Sequence, residues 1–298
     1  MLTPDPSPRT LGRSTLRVFP IAYGCWRFAG TDVAAARDKV DAALELGIDL
    51  FDHADIYGDG AAEELFGRVL AEDRSLRDRM TIATKGGIIP GVPYDSSPEH
   101  LTATCERSLR RLQVDTIDLY QIHRPDFLGH PEQVAATLSS LREQGKIREV
   151  GVSNHTPSQL RALQAWLPFP IATRQPEFSC WRHAPLRDGT LDQCLELRIT
   201  PLAWSPMAGG RLGMDPADAE DPRLRNLLAV LDEIAQSQGV SRGSVAIAWT
   251  MLHPSGVIPI LGTQRIDRIR EGVSALKVRL SRTQWNDILI AAQGEPLP

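Results

Sequence analysis

Two residues near position 55 have the types and the spacing of an acid–base pair. The segment FDHADIYG begins at Phe51. An apolar run of Ile48, Leu50 and Phe51 ends at Asp52, and Tyr57 follows five residues later. If the apolar run is a strand, it delivers a carboxylate at its tip, and the loop beyond it carries a phenol. Such a pair can hold and donate protons, provided that a cation and a histidine reach the same place.

Candidates for the cation and the histidine close the next two apolar runs, at Lys85 and His123. A lysine ammonium about 4 Å from a phenol favours the phenolate by about 4 kcal/mol at an effective dielectric constant near 20. We therefore expect Lys85 to lower the pKa of Tyr57, Asp52 to keep Lys85 charged, and His123 to hydrogen-bond a substrate oxygen. This set suits protonation of an alkoxide as a carbonyl receives hydride from a nicotinamide.

Each of these residues alone also has a plainer explanation. Asp52 could cap a loop, Lys85 could be a solvated strand end, and a single histidine such as His123 is commonly structural. The catalytic interpretation depends on the four residues meeting on one face of the fold.

The elements that would bring them together alternate along the chain. The apolar pattern predicts strands at 18–24, 48–52, 80–85, 117–123, 147–153, 171–175, 200–204 and 257–261. Helical patterns lie between them at 33–46, 61–70, 98–112, 131–144, 157–166, 190–197 and, as one long region, 223–251, and two more helices close the chain. Strands that alternate with helices pair in parallel.

This alternation predicts an α/β fold, a (β/α)8 TIM barrel with extra C-terminal helices, in a single domain over residues 1–298. The repeat of about 30–35 residues is close to that of a TIM barrel. A doubly wound sheet is the competing architecture, but it usually carries GxGxxG after its first strand, and the sequence has no such motif.

In a parallel barrel the carboxyl ends of all strands open on one mouth, where active sites are built. Beyond Asp52, Lys85 and His123, the expected strand ends carry Ser153, Asn154, Gln175, Trp204 and Ser205. Two long Gly- and Pro-rich connections, 86–97 and 207–222, follow strands and are expected over this mouth, because long βα loops are commonly lids or binding loops.

The composition excludes several function classes. The chain has 298 residues, 42% of them hydrophobic, with a net charge of −4 and an isoelectric point near 6.0. A weakly acidic surface gives no reason to expect nucleic acid or an anionic membrane as partner. The four dispersed cysteines form no metal-binding spacing and suggest a reduced, cytoplasmic protein. No apolar run approaches the roughly 20 residues of a membrane helix, and the start has no signal-peptide core.

The motifs together resemble the aldo-keto reductase superfamily, and most of all its bacterial YdhF-type subgroup. FDHADIYG resembles the family's D-x-A-x-x-Y-G, ATKGG its T-K segment, YQIHRPD its histidine strand end and REVGVSN its G-x-S-N. Further along, RQPEFS resembles N-Q-x-E-F, LAWSPMAGGRL resembles Y-S-P-L-x-G-G, and VIPILGTQRIDRIREG resembles I-P-G-T-x-x-x-x-R-I-x-E-N. The ordered series runs from about residue 18 to 275 and is highly specific.

The resemblance implies roles for these positions. It makes Asp52, Tyr57, Lys85 and His123 a catalytic tetrad with Tyr57 as general acid. Ser153, Asn154 and Gln175 would hold the nicotinamide carboxamide. Trp204 would stack on the nicotinamide in place of the usual Tyr or Phe; the plainer explanation is that it is only a core residue. Ser205 and the loop that contains Met207, Gly209 and Arg211 would clasp the pyrophosphate.

The same resemblance implies NADP(H) as cofactor. Gly262, Thr263, Gln264 and Arg268 match the segment that receives the adenosine 2′-phosphate, and Arg265 is expected on the same helical face as Arg268. The chain departs from the family at two positions, since Gln264 is often basic there and Gly272 replaces an asparagine that contacts adenine. The arginines could also be an ordinary solvated helix face.

The expected substrate is a small aldehyde or ketone, in contact with Trp26, Tyr57 and His123. Two alternatives remain open at this stage. The chain could be a regulatory relative that holds nicotinamide cofactor and turns over slowly. It could also be a metal-dependent TIM-barrel hydrolase, with His53, Asp55, His123 and His155 as ligands, although Lys85 and Arg124 would repel a cation.

Overall fold

The structure is a computed structural model that describes residues 1–297. Eight parallel strands close a barrel in the order β10-β3-β4-β5-β6-β7-β8-β9. They are β3 (Ala22–Gly24), β4 (Leu50–Asp52), β5 (Thr81–Gly86), β6 (Ile117–Ile122), β7 (Ile147–Ser153), β8 (Thr173–Gln175), β9 (Thr200–Ala203) and β10 (Ile258–Leu261). The predicted (β/α)8 TIM barrel is confirmed.

Helices surround the barrel and follow its strands along the chain. They are α1 (Val33–Glu45), α2 (Ala61–Glu72), α3 (Pro98–Leu112), α4 (Pro131–Glu143), α5 (Pro157–Gln164), α6 (Thr190–Leu197), α7 (Pro222–Gln238), α8 (Arg242–Met251), α9 (Ile266–Val273) and α10 (Arg282–Gln293). Proline at the first turn of α3, α4, α5 and α7 suits a position whose amide has no partner inside the helix. Within residues 1–297, no helix is long and apolar enough to span a bilayer.

The predicted first strand, 18–24, is in fact two separate strands. Val18 belongs to an antiparallel hairpin of β1 (Arg9–Thr10) and β2 (Arg17–Val18), and the barrel strand begins only at Ala22. Between them the amide of Phe19 donates to the Asp49 side chain, and Pro20 has no amide for a ladder. Leu11 and Val18 of this hairpin pack with inward-facing barrel residues and close the amino-terminal end of the barrel.

The predicted helical region 223–251 is also divided. α7 ends at Gly239, whose φ of 63° lies in the left-handed region that ends helices, and the Ser241 side chain caps the start of α8. The break turns the chain so that α8 packs on the barrel strand β10, while α7 packs against α8 and α10. The other predicted helices and strands agree with the structure to within about two residues at each end.

The packing of α2 against α3 depends on Gly67, which lies in the middle of α2. A Cβ atom at Gly67 would lie 2.0 Å from the backbone oxygen of Arg111 in α3, and a backbone oxygen cannot move aside cheaply. We expect Gly67→Ala to lower the free energy of unfolding by about 1–3 kcal/mol. The cost of overpacking outweighs the roughly 1 kcal/mol by which alanine favours a helix more than glycine does. Urea unfolding measures this change.

Gly243→Ala in α8 is the matched control. A Cβ atom there would meet only the ends of flexible side chains at ordinary contact distances of 3.4 Å or more. The free energy of unfolding of this variant is expected to stay within about 1 kcal/mol of the wild type. Equal stability of the two alanine variants would contradict the account of the α2–α3 contact.

Candidate active site

The four predicted tetrad residues lie together at the carboxyl ends of β4, β5 and β6. Lys85 is fully buried, and its Nζ donates to Asp52 Oδ2 at 2.7 Å, to the His53 carbonyl oxygen at 2.7 Å and to the Tyr57 hydroxyl at 3.2 Å. All three protons of the ammonium therefore have acceptors. Because the Tyr57 oxygen accepts from Lys85, its own proton is free to be donated into the mouth.

A tight turn after β4 brings Tyr57 back to Lys85. The amide of Asp55 donates to the Lys85 carbonyl oxygen, and the amide of Tyr57 donates to that of Ala54. Gly58 follows with φ of 58°, and a Cβ atom there would lie 3.0 Å from Ala29, so a larger residue would strain the turn. The spacing of five residues from Asp52 to Tyr57 is thus the length of this turn.

Electrostatics in the cluster differ from the sequence-based expectation at Tyr57. Burial raises the pKa of Tyr57 above its ordinary value of 10.0, and Lys85 only partly offsets this. The expected lowering of the phenol pKa is therefore wrong for the protein without ligand, because loss of hydration outweighs one nearby cation. At Lys85 burial disfavours the ammonium, but Asp52 and Tyr57 together raise its pKa above 10.5.

His123 lies across the mouth from the lysine. Its ring centroid is 6.0 Å from that of Tyr57, in an edge-to-face arrangement. Burial, with help from Lys85 and Arg124, lowers the pKa of His123 to about 2, so the imidazole is neutral at physiological pH. Its Nδ1 is buried without a hydrogen-bond partner among the described residues. A neutral ring with its proton on Nε2 could donate one hydrogen bond to a substrate oxygen.

Asp52 has two further partners that link it to neighbouring strands. Gln175 Nε2 donates to Asp52 Oδ1 at 2.9 Å, and Gln121 Nε2 approaches the same oxygen at 3.4 Å. Gln121 in turn accepts from the Thr173 hydroxyl at 3.1 Å. Gln121 was not among the predicted site residues; the only signal for it is a polar residue two positions before His123 in an apolar strand.

The residues expected to hold a carboxamide form a hydrogen-bonded chain. Trp204 Nε1 donates to Asn154 Oδ1 at 3.0 Å, Asn154 Nδ2 donates to Ser153 Oγ at 2.8 Å, and Ser153 Oγ donates to the Gln175 carbonyl oxygen. Asn154 has φ of 57°, in the left-handed region. The hydrogen bond from Trp204 could not be made by a phenylalanine, so tryptophan both presents a ring and holds Asn154.

The loop after β9 is folded on itself. Ser205 and Ala208 have positive φ. The Ala208 amide donates to the Ser205 carbonyl oxygen, the Gly209 amide to the Ser205 hydroxyl, and the Gly210 amide to the Met207 carbonyl oxygen. Arg211 follows Gly210, and its side chain is exposed. A Cβ atom on Gly209 or Gly210 would meet no atom within 4 Å, which leaves the backbone there open on one side.

The segment after β10 differs from the expected one in two respects. Arg265 is not within the helix with Arg268, because α9 begins at Ile266; it forms an ion pair with Asp267 instead. Arg268 is exposed, and within residues 1–297 no carboxylate lies within 4 Å of its guanidinium. Gly262 faces open space, and Thr263 Oγ1 accepts from the Arg265 amide.

Gln264 and Gly272, the two departures from the family pattern, have structural explanations. Gln264 accepts from Lys39 Nζ at 3.1 Å and donates to the Tyr23 hydroxyl at 3.3 Å, so a cation from α1 stands beside the uncharged residue. A Cβ atom on Gly272 would lie 2.6 Å from a methyl carbon of Leu261, which leaves no room for asparagine without repacking. No residue pattern indicates the contact with Lys39, which lies 225 residues away along the chain.

The remaining predicted positions are at the rim or behind the mouth. Trp26 is 60% exposed, and the Arg27 guanidinium lies 4.8 Å from its ring centroid. His53 packs edge-to-face on Phe66, with both ring nitrogens unpaired among the described residues. Within residues 1–297, no three His, Cys, Asp or Glu side chains are arranged to hold a metal ion, so the hydrolase alternative has no ligand set.

Comparisons with known proteins agree with this geometry. The sequence profile of the "Aldo/keto reductase family" matches residues 20–292. A "6-dehydroglucose reductase" of Novosphingobium aromaticivorans is 49% identical over 98% of both chains, and "Oxidoreductase YdhF" of Escherichia coli is 39% identical over 92% of this chain and 94% of its own. The solved glycerol dehydrogenase of Gluconobacter oxydans superposes with a TM-score of 0.86 at 27% identity over 98% of both chains.

Asp55, behind the Tyr57 turn, makes stability depend on pH. Burial and the nearby Glu63, offset only in part by Arg107 and Arg111, raise the pKa of Asp55 from 3.8 to about 7. Between these values the folded protein holds one proton more than the unfolded chain, so this residue lowers stability as pH rises, by up to about 1.4 kcal/mol per unit. Asp55→Asn should therefore gain stability relative to wild type from pH 4 to pH 8 in urea unfolding.

Asp267→Asn is the control for this prediction. Arg265 lowers the pKa of the exposed Asp267 carboxyl below 3.8, so this residue is almost fully ionised above about pH 5 in both the folded and the unfolded chain. The stability difference between Asp267→Asn and wild type should therefore be nearly constant from about pH 5 to pH 8. A constant difference for Asp55→Asn as well would show that Asp55 titrates normally.

Proposed function

The chain belongs to the aldo/keto reductase family, and we propose that it is an NADPH-dependent oxidoreductase that reduces an aldehyde or ketone to an alcohol, with Tyr57 as general acid. The observation that carries the proposal is the contact of the Tyr57 hydroxyl with Lys85 Nζ at 3.2 Å, in a cluster that also contains Asp52 and a neutral His123. Carbonyl reduction needs a proton donor of this kind at the oxygen that becomes the hydroxyl group.

Tyr57 acts when the carbonyl oxygen gains negative charge. A nicotinamide held beside Asn154 and Trp204 would supply hydride to the carbonyl carbon. The raised pKa of Tyr57 keeps its proton in place until an alkoxide, a far stronger base than a phenolate, develops at hydrogen-bond distance. Lys85 then stabilises the phenolate that remains, and Asp52 keeps Lys85 charged throughout. A second hydrogen bond, donated by His123 to the same substrate oxygen, orients the carbonyl group.

The donor set around the mouth fits a phosphorylated dinucleotide. Trp204 presents a partly exposed ring beside Asn154, and Gly209, Gly210 and Gly262 leave open backbone where a Cβ atom would meet nothing. Arg268 has no acidic partner among the described residues, and its guanidinium could bind a 2′-phosphate with two hydrogen bonds. Lys39 contributes a second positive charge next to Gln264.

The relatives suggest where to look for the substrate. Two of them, from Novosphingobium aromaticivorans and Agrobacterium fabrum, are named as 6-dehydroglucose reductases, at 49% and 36% identity. We propose 6-dehydroglucose as the first member of a carbonyl panel, followed by simpler aldehydes and ketones. The exposed Trp26 ring at the rim offers a flat apolar face on which a sugar ring could stack.

The second candidate function is a regulatory one, in which the protein holds nicotinamide cofactor and its catalytic turnover is slow. The observation that favours it is the internal hydrogen bonding of the loop from Ser205 to Gly210, because the amides of Ala208, Gly209 and Gly210 already have acceptors within the loop. Stopped-flow oxidation of bound NADPH by a carbonyl compound separates the two functions. Multiple turnovers within seconds support the reductase, and a single slow turnover supports the regulatory relative.

The proposed acid is tested by Tyr57→Phe, which removes one oxygen from a partly buried ring. We expect NADPH to bind with unchanged affinity and kcat to fall by about 10²–10⁴, because only the proton transfer is lost. Fluorescence titration gives the affinity, and steady-state kinetics with an active aldehyde gives kcat. Wild-type turnover in this variant would exclude Tyr57 as the acid.

The proposed preference for NADPH is tested by Arg268→Ala. Loss of a charged hydrogen-bonding partner of the 2′-phosphate should raise the Kd of NADPH about tenfold and leave the Kd of NADH unchanged. Arg265→Ala is the matched control, since Asp267 already neutralises Arg265, and its effect on either Kd should be less than about twofold. Equal effects of both substitutions would remove Arg268 from the phosphate site.

A further inference from the structure

Arg174 is an arginine buried where an apolar residue would be expected. It lies on β8 between Thr173 and Gln175, which point into the barrel, and its own side chain points outward toward α6. Only 1% of its surface is exposed. Its guanidinium donates to the carbonyl oxygens of His155 and Thr190 and to Gln193 Oε1.

None of these acceptors is charged. Within residues 1–297, no carboxylate lies within 4 Å of the Arg174 guanidinium, although exposed arginines such as Arg223 and Arg265 have such partners. A guanidinium remains protonated in proteins, and burying it without an opposite charge costs several kcal/mol. Packing alone would not offset this cost, since an apolar side chain would pack as well. We therefore look for the role of Arg174 in the backbone groups that it holds.

The backbone that Arg174 holds is the loop after β7. His155, whose carbonyl accepts from Arg174, directly follows Asn154, and its ring Nδ1 lies 2.9 Å from the Ser153 carbonyl oxygen. Because a carbonyl only accepts, Nδ1 is the protonated nitrogen. Gln193, the second partner of Arg174, donates to the Pro157 carbonyl oxygen at 2.8 Å. The loop is thus tied to Arg174 both at His155 and at Pro157.

This loop needs such support, because Asn154 has a left-handed backbone conformation at φ 57°. Asparagine tolerates this conformation better than other side-chain-bearing residues, but it is still less favourable than ordinary backbone, by about 1 kcal/mol, and surrounding contacts help to hold it. The same conformation directs the Asn154 side chain to Ser153 Oγ and the Trp204 indole.

We propose that Arg174 is a positioning residue for the nicotinamide end of the cofactor, because it holds the carbonyl group of His155, the residue after Asn154, and so fixes the arrangement of Ser153 and Asn154. The inference rests on the proposed function, in which these side chains hold the carboxamide. The segment 262–268, proposed for the adenosine phosphate, follows β10, which is separated from β8 by β9 and has no hydrogen bond to Arg174 among the described residues. Loss of Arg174 therefore weakens one end of the cofactor and not the other.

The test is Arg174→Met, which keeps the length of the side chain and removes its donors. The dissociation constants of NADPH and of adenosine 2′,5′-bisphosphate, which lacks the nicotinamide, are measured by titration on wild type and variant. We expect the Kd of NADPH to rise about tenfold and that of the bisphosphate to stay within about twofold. Arg148→Met is the control, an exposed arginine at the other end of the neighbouring strand β7, and changes neither value.

A second readout follows from the face of the nicotinamide ring that meets the substrate. With NADPH that carries deuterium on one face of its C4 carbon, wild type transfers from a single face, and Arg174→Met transfers a measurable fraction from the other. Arg174→Lys retains one charged donor, so its NADPH Kd and its facial selectivity should lie between those of wild type and Arg174→Met. If Arg174→Met does not fold, Arg174→Lys and Gln193→Leu carry the same comparison of NADPH with the bisphosphate.

The possible outcomes separate the two proposals. If Arg174→Met weakens the binding of NADPH and of the bisphosphate equally, or changes neither Kd, the positioning role of Arg174 is overturned and the reductase proposal stays intact. Failure of the wild-type protein to bind NADPH overturns the proposed function itself. Selective weakening of NADPH, with loss of facial selectivity, supports the positioning role.

Discussion

The buried ammonium group of Lys85 is the constraint on which the rest of the site depends. A charge with no exposed surface is tolerated only when every proton has an acceptor, and here Asp52, the His53 carbonyl and Tyr57 provide the three. This requirement fixes the turn after β4, because only a chain that folds back over Lys85 brings both a carbonyl and a phenol to it. The geometry needed for stability is also the geometry that the proposed proton donation by Tyr57 requires.

The same network extends beyond the tetrad. Asp52 receives Gln175 on its second oxygen, and the Gln175 backbone receives Ser153, so the proposed proton donor and the proposed nicotinamide pocket are joined by hydrogen bonds. Trp204 closes this chain at Asn154. Burial excludes water from the cluster, which strengthens each of these interactions and also accounts for the raised pKa of Tyr57 and the neutral His123.

Much of the fold and of the candidate site could be predicted from residue patterns. Alternating helices and strands have only a few compact arrangements, and polar residues at successive strand ends meet at one mouth in any parallel barrel. The patterns did not reveal the hairpin that closes the barrel or the break at Gly239, because short strands and helix ends have weak local signals. They also missed Gln121 and Lys39, whose partners lie 69 and 225 residues away.

The sequence by itself determined the family, the barrel and the identity of the tetrad candidates, because these depend on residue types at regular intervals. Only the tertiary structure decided how charge is distributed among them. The direction of the Tyr57 pKa, the pairing of Arg265 with Asp267 and the burial of Arg174 follow from how much water each group loses and which distant groups replace it. These quantities depend on three-dimensional distance, and spacing along the chain does not contain them.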